Sequence, residues 1–121
     1  MKYFLFFFLL IIITGSCNRK ICSNRIDVYE DLYKRYLIIL EDSKHPRKLV
    51  TPNEINKAIK YLQIVSGIPS KATLNHELSY EEKSDFIGDI KLWKKWYQQN
   101  HCEITLQYID SVLNEVGLED F

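Results

Sequence analysis

Two cysteines, three histidines, a ladder of carboxylates and a group of lysines among aromatics are the residues with chemical reach in the body of this 121-residue chain. Cys22 and Cys102 are thiols that an oxidising compartment would let pair. A bridge between them would tie the start of the domain to its last third, and on a loop-entropy argument would contribute about 4 kcal/mol. The plainer alternative is two unpaired or buried thiols. His45, His76 and His101 show no metal-ligand spacing. His101-Cys102 sets a base beside a nucleophile, yet adjacent residues on a helix or strand point in different directions.

Glu81, Asp85 and Asp89 recur at every fourth position and would converge if one helix ran through them. Converging carboxylates perform acid and base chemistry or hold calcium. No loop of calcium-binding spacing surrounds them, so the expectation is a solvated acidic face near a helix start, where negative charge is favoured. The stretch Lys91-Leu92-Trp93-Lys94-Lys95-Trp96-Tyr97 mixes cations with aromatics. A small domain needs its largest apolar groups for stability, which assigns Trp93, Trp96 and Tyr97 to the core. Lys91, Lys94 and Lys95 then stay in water as the candidate partner-binding residues. There is no Cys-x-x-Cys, His-Glu-x-x-His, Gly-x-Ser-x-Gly or glycine-rich phosphate loop. No catalytic residue, metal or cofactor is therefore expected.

The third cysteine, Cys17, stands at the end of a different kind of segment. Lys2 is followed by an unbroken apolar run over residues 3–13, too short for a permanent helical span of about 20 residues. Thr14-Gly15-Ser16-Cys17 then brings small residues directly to a cysteine and resembles the lipobox of bacterial lipoproteins, although that motif usually has an aliphatic residue where Thr14 stands. The resemblance implies cleavage after Ser16 and a lipid, diacylglycerol with fatty acid such as palmitate, on the Cys17 sulfur. Asn18 is not the Asp that resembles an inner-membrane retention signal, so the expected site is the outer membrane, facing the periplasm. This divides the chain into a signal peptide over 1–16, a lipidated tether over 17–24 and one domain over 25–121.

Charge narrows the function classes. Lys plus Arg and Asp plus Glu are both 16, and loss of Lys2 with the leader leaves 15 against 16. A net charge near minus one gives no electrostatic case for nucleic acid or for an anionic membrane surface. With 46% hydrophobic residues, eight Tyr and two Trp, the chain is a folding one.

The elements that must position these groups read as an all-α domain of three or four short helices. Tyr29, Leu32, Tyr33, Tyr36, Leu37 and Leu40 repeat at steps of three and four, predicting a first helix over about 25–42. Thr51-Pro52-Asn53-Glu54 is a capping box with proline at the first helical position. Ile55, Ala58, Ile59, Leu62 and Val65 form the stripe of that second helix, which Gly67 and Pro69 end. Residues 68–78 read as a polar connection. Ser79-Tyr80-Glu81-Glu82 offers another capping box for a short helix that Gly88 would interrupt. Asp89 would then cap a third main helix carrying Ile90, Trp93, Trp96 and Tyr97. Residues 104–108 alternate like a short strand, but Ile109, Val112, Leu113 and Val116 favour a helical tail over 105–116.

The helix ending in Ser-Gly-Ile-Pro and the later Trp-Lys-Lys-Trp-Tyr helix make residues 58–100 similar to small bacterial lipoproteins and secreted proteins of no assigned activity. That resemblance implies only that these two helices pack together. The expected role is a non-catalytic module that binds a protein of the cell envelope. Two other classes compete with it: an inhibitor or immunity protein against a toxin or hydrolase, and a minor enzyme acting on cell-wall material.

Overall fold

The Tyr29, Leu32, Tyr33, Tyr36, Leu37 and Leu40 stripe lies on helix α1 (Val28–Ser43), where Tyr33, Leu37 and Leu40 are buried and the other three pack against them. The computed structural model describes Cys22 and residues 28–116 apart from residue 76. The expected leader, Cys17, the tether apart from Cys22, residues 25–27, His76 and residues 117–121 lie outside the described residues. Ser43 closes α1 by donating its hydroxyl to the Leu40 carbonyl at 2.7 Å.

Helix α2 (Pro52–Ser66) follows the local signals at both ends. Thr51 Oγ1 accepts the Glu54 amide, and the Glu54 carboxylate accepts the Thr51 amide at 2.8 Å. Both hydrogen bonds of the capping box are therefore made. At the other end Gly67 has φ 68°, the left-handed conformation that glycine adopts without a Cβ penalty. Ala58, Ile59, Leu62 and Val65 are buried as the stripe requires. Tyr61 joins them, donating its hydroxyl to the Tyr29 carbonyl at 3.0 Å. Late α2 thus lies beside early α1, and the two helices form an antiparallel pair.

Residues expected as an unstructured polar connection contain a small hairpin, β1 (Thr73–Asn75) and β2 (Glu77–Ser79). The strands are antiparallel, with Leu74 opposite Leu78. Two strands of three residues are too short to give a period-two pattern, which is why the sequence reads as loop there. The fold remains all-α in class.

Helix α3 (Lys83–Asn100) runs unbroken through both residues expected to interrupt or restart it. Gly88 keeps a helical backbone, at a propensity cost of about 1 kcal/mol that the packing of the helix absorbs. Asp89 sits within the helix and does not cap it. The N-cap is Glu82, whose side chain makes no capping bond, so the second capping box is not used. Ile90 and Trp93 are buried, while Trp96 and Tyr97 are half-buried against the core. A 3₁₀ turn (His101–Glu103) then leads to α4 (Leu106–Val116), the helical tail. Thr105 caps α4 by accepting the Tyr108 amide at 3.2 Å. Ile104, within the stretch that alternates in sequence, is buried at the corner between them.

The core is one cluster to which all four helices contribute, and Trp93 is the largest of its fully buried side chains. Tyr33 stacks on Tyr97 with ring centroids 5.5 Å apart and donates its hydroxyl to the Trp93 carbonyl at 3.1 Å. Burial holds the Tyr33 phenol protonated well above its ordinary range. Among the described residues no helix is long and apolar enough to cross a membrane.

Candidate functional site

The cationic stretch of α3 divides into two kinds of lysine. Lys91 and Lys95 are exposed, and Leu92 beside them is 47% exposed. Lys94 instead reaches α1 and forms an ion pair with Glu41, which also binds Lys44. Hydrogen bonds from Lys44 and then Lys94 hold the Glu41 carboxyl below its ordinary range. Of the three residues expected to face a partner, one is thus held in an ion pair on the surface of the molecule itself. The tryptophans behave as expected of core groups, since Trp93 donates its indole N–H to the Ile68 carbonyl at 3.2 Å and Trp96 packs 5.4 Å from Tyr33.

A second α1–α3 tie lies one turn on along α3 and reaches the opposite end of α1. Tyr97 donates its hydroxyl to Glu30 at 2.7 Å, and Lys34 pairs with the same carboxylate at 3.3 Å. Burial pushes the Tyr97 phenol up to about 12, helped by its bond to Glu30. At Glu30 burial acts to raise the carboxyl, but the hydrogen bonds from Tyr97 and Lys34 prevail and its pKa is lowered.

The carboxylate ladder does not converge. Glu81 precedes α3 and is exposed, and Asp85 on its first turn pairs with Lys71 at 3.0 Å. Asp89 is fully buried, contrary to the solvated face expected for it. Its Oδ2 accepts the Lys71 amide at 2.8 Å, the Tyr80 hydroxyl at 2.8 Å and the Ser70 hydroxyl at 3.0 Å. Ser70 and Tyr80 hydroxyls also lie 2.9 Å apart, and Ser70 Oγ accepts the Ala72 amide at 2.9 Å. Oδ1 of Asp89 is buried without a hydrogen-bond partner among the described residues. Burial, with the Asp89 contact adding to it, drives the Tyr80 phenol well above its ordinary range. This is a polar knot that fastens the loop after α2 and the end of β2 onto the middle of α3. Ser70 has its hydroxyl engaged on both sides, donating to Asp89 and accepting the Ala72 amide, and among the described residues no histidine is hydrogen-bonded to it.

Cys22 and Cys102 are joined by a disulfide with Cα atoms 5.3 Å apart. His101 belongs to the same corner, because the 3₁₀ turn brings its ring back over α3. Its Nδ1 is 3.1 Å from the Tyr97 carbonyl and its ring lies 5.3 Å from that of Tyr97. A ring nitrogen of His101 and the two sulfurs fall within 4.8 Å of one another. The sequence shows the His101-Cys102 step but not its approach to Cys22. The tight turn defeats the rule that adjacent side chains diverge.

An open groove of about 500 Å³ runs between the end of α2 and α4, lined by Ile64, Pro69, Tyr108, Val112 and Val116 with Gln63 and Glu115 at its polar edge. The chain matches no protein-family model, no curated protein and no solved structure, so its functional reading rests on these residues and their geometry.

Proposed function

We propose that this chain is a lipid-anchored protein of the bacterial cell envelope that acts by binding another envelope protein, with Lys91, Leu92 and Lys95 as its contact surface. The observation that carries the reading is Leu92, 47% exposed near two exposed lysines on the helix that also carries the fully buried Trp93. An apolar side chain flanked by cations suits a partner whose surface is acidic around an apolar spot. The polar knot around Asp89 supports architecture over catalysis, since the Ser70 and Tyr80 hydroxyls donate to its carboxylate and Ser70 also accepts the Ala72 amide.

The tether fits an anchored domain. Four residues separate Cys17 from Cys22, five steps with a contour of about 17 Å at full extension, and Cys22 is bonded to Cys102. A lipid on Cys17 would therefore keep the α3–α4 corner near the bilayer and limit the partners within reach to envelope proteins.

Fatty-acid labelling of cells expressing the wild type and Cys17→Ala tests the anchor, with label expected on the wild type alone. Affinity capture from envelope extract by the lipidated protein, compared with a Lys91→Glu, Lys95→Glu double variant, tests the surface. Loss of a partner in the folded double variant supports the reading. Equal labelling of both chains, unchanged capture, or turnover of cell-wall fragments by the purified protein overturns it.

A further inference from the structure

We infer that reduction of the Cys22–Cys102 bridge turns the α3–α4 corner into a three-ligand zinc site, formed by the two cysteine sulfurs and the His101 imidazole. The disulfide sets the two sulfurs side by side and a His101 ring nitrogen lies within 4.8 Å of both, all three residues being half-buried, so reduction frees two thiols next to an imidazole. Thiolates and imidazole are the donor types zinc prefers, and three protein ligands leave one position for water.

The histidine is set up for this role by α3. Tyr97 is four residues before His101, and its carbonyl receives the backbone N–H of His101 and lies 3.1 Å from Nδ1. A proton held on Nδ1 by that carbonyl leaves the ring lone pair on Nε2. Backbone carbonyls orient metal-binding histidines in this way, fixing tautomer and ring direction and raising the basicity of the free nitrogen. The Tyr97 ring against His101 limits the ring's swing.

The chemistry balances with a dithiol reductant. The dithiol gives two electrons and two protons to the Cys22–Cys102 bond, leaving two thiols and its own cyclic disulfide. Zinc then takes both sulfurs as thiolates, and the two thiol protons pass to solvent. Either the bridge or the ion fastens the segment at Cys22 to the corner at Cys102, so the same attachment exists in oxidising and reducing conditions.

The test uses the whole chain with Cys17→Ser, so that the third thiol does not contribute, reduced by a phosphine and titrated with cobalt(II). One equivalent should bind with the sulfur-to-cobalt charge-transfer band and the intense visible bands of tetrahedral sites, and zinc should displace it. His101→Ala should weaken binding by about tenfold or more, while its oxidised form keeps the helical circular dichroism of the parent. Cys22→Ser, Cys102→Ser reports whether the helices survive without the bridge and should give no charge-transfer band. A reduced chain that takes up no cobalt, folded or unfolded, overturns the inference. So does binding that His101→Ala leaves unchanged, since any neighbouring pair of thiols would give that result.

Discussion

Tyr80 donates its hydroxyl to Asp89 Oδ2 at 2.8 Å, so that the residue after β2 is hydrogen-bonded to a carboxylate buried in the middle of α3. The same oxygen takes the Lys71 amide and the Ser70 hydroxyl. One side chain thus holds both ends of the segment that carries the hairpin. Asp89→Ala strips three donors of their acceptor and should destabilise the fold by roughly 3 kcal/mol or more, whereas Tyr80→Phe removes one bond and should cost about 1 kcal/mol. Urea denaturation separates the two. Equal midpoints for Asp89→Ala and wild type would mean that the knot holds nothing.

Glycine has opposite meanings at two helix positions. Gly88 lies inside α3, and a Cβ built there meets no atom within 4 Å. Gly88→Ala should raise stability by about 0.5–1 kcal/mol through helix propensity. Gly67 also has open space, but at φ 68° an alanine is strained, and Gly67→Ala should lower stability by about 1 kcal/mol. Thermal unfolding should show shifts of opposite sign.

On α3, consecutive residues have separate duties. Trp93→Ala should cost about 3–5 kcal/mol because the ring is fully buried. Trp96 is half-buried, so its replacement should cost less. Lys91→Glu and Lys95→Glu should leave the unfolding midpoint within about 0.5 kcal/mol of wild type. Lys94→Glu should not, because it sets a second negative charge against Glu41.

The Glu41 ion pairs confer a dependence on pH. Its carboxyl is lowered in the folded chain from an ordinary value of 4.5, so the folded state favours the charged form. That stabilisation is fully present above about pH 4.5 and fades as the pH falls through the folded value. Lys94 and Glu41 are partly exposed, which limits the effect to about 1 kcal/mol or less. Glu41→Gln should therefore be slightly less stable than wild type at neutral pH and equal to it in acid, and added salt should narrow the neutral difference.

At the start of α2, Thr51→Ala should destabilise by roughly 1 kcal/mol while the chain remains assembled, as loss of a capping hydroxyl does elsewhere. Chemical denaturation reads this directly, and an unchanged midpoint would leave the Thr51–Glu54 bonds without energetic weight.

The extent to which the amino-acid sequence alone determines this molecule follows the range of the forces involved. Thr51, Pro52 and Glu54 start α2 and Gly67 ends it through backbone hydrogen bonds and dihedral preferences that act within four residues, so both boundaries are legible without a fold. The α1 and α2 stripes, and the core positions of Ile90 and Trp93, are legible for the same reason, since a helix's own period decides which residues share a face. Tertiary packing alone decided that Asp89 is buried, because its partners come from residues 70, 71 and 80 and lie on no common helix. It likewise decided that Lys94 is engaged by Glu41 while Lys91 and Lys95 stay in water, a distinction three lysines of one helix do not carry in their spacing. The meeting of Cys22, His101 and Cys102 needed both a tight turn and the closure of a long chain loop. Such closure is driven by burial of the shared core, a force that depends on how much apolar surface the whole chain removes from water and leaves no mark on any short stretch of sequence.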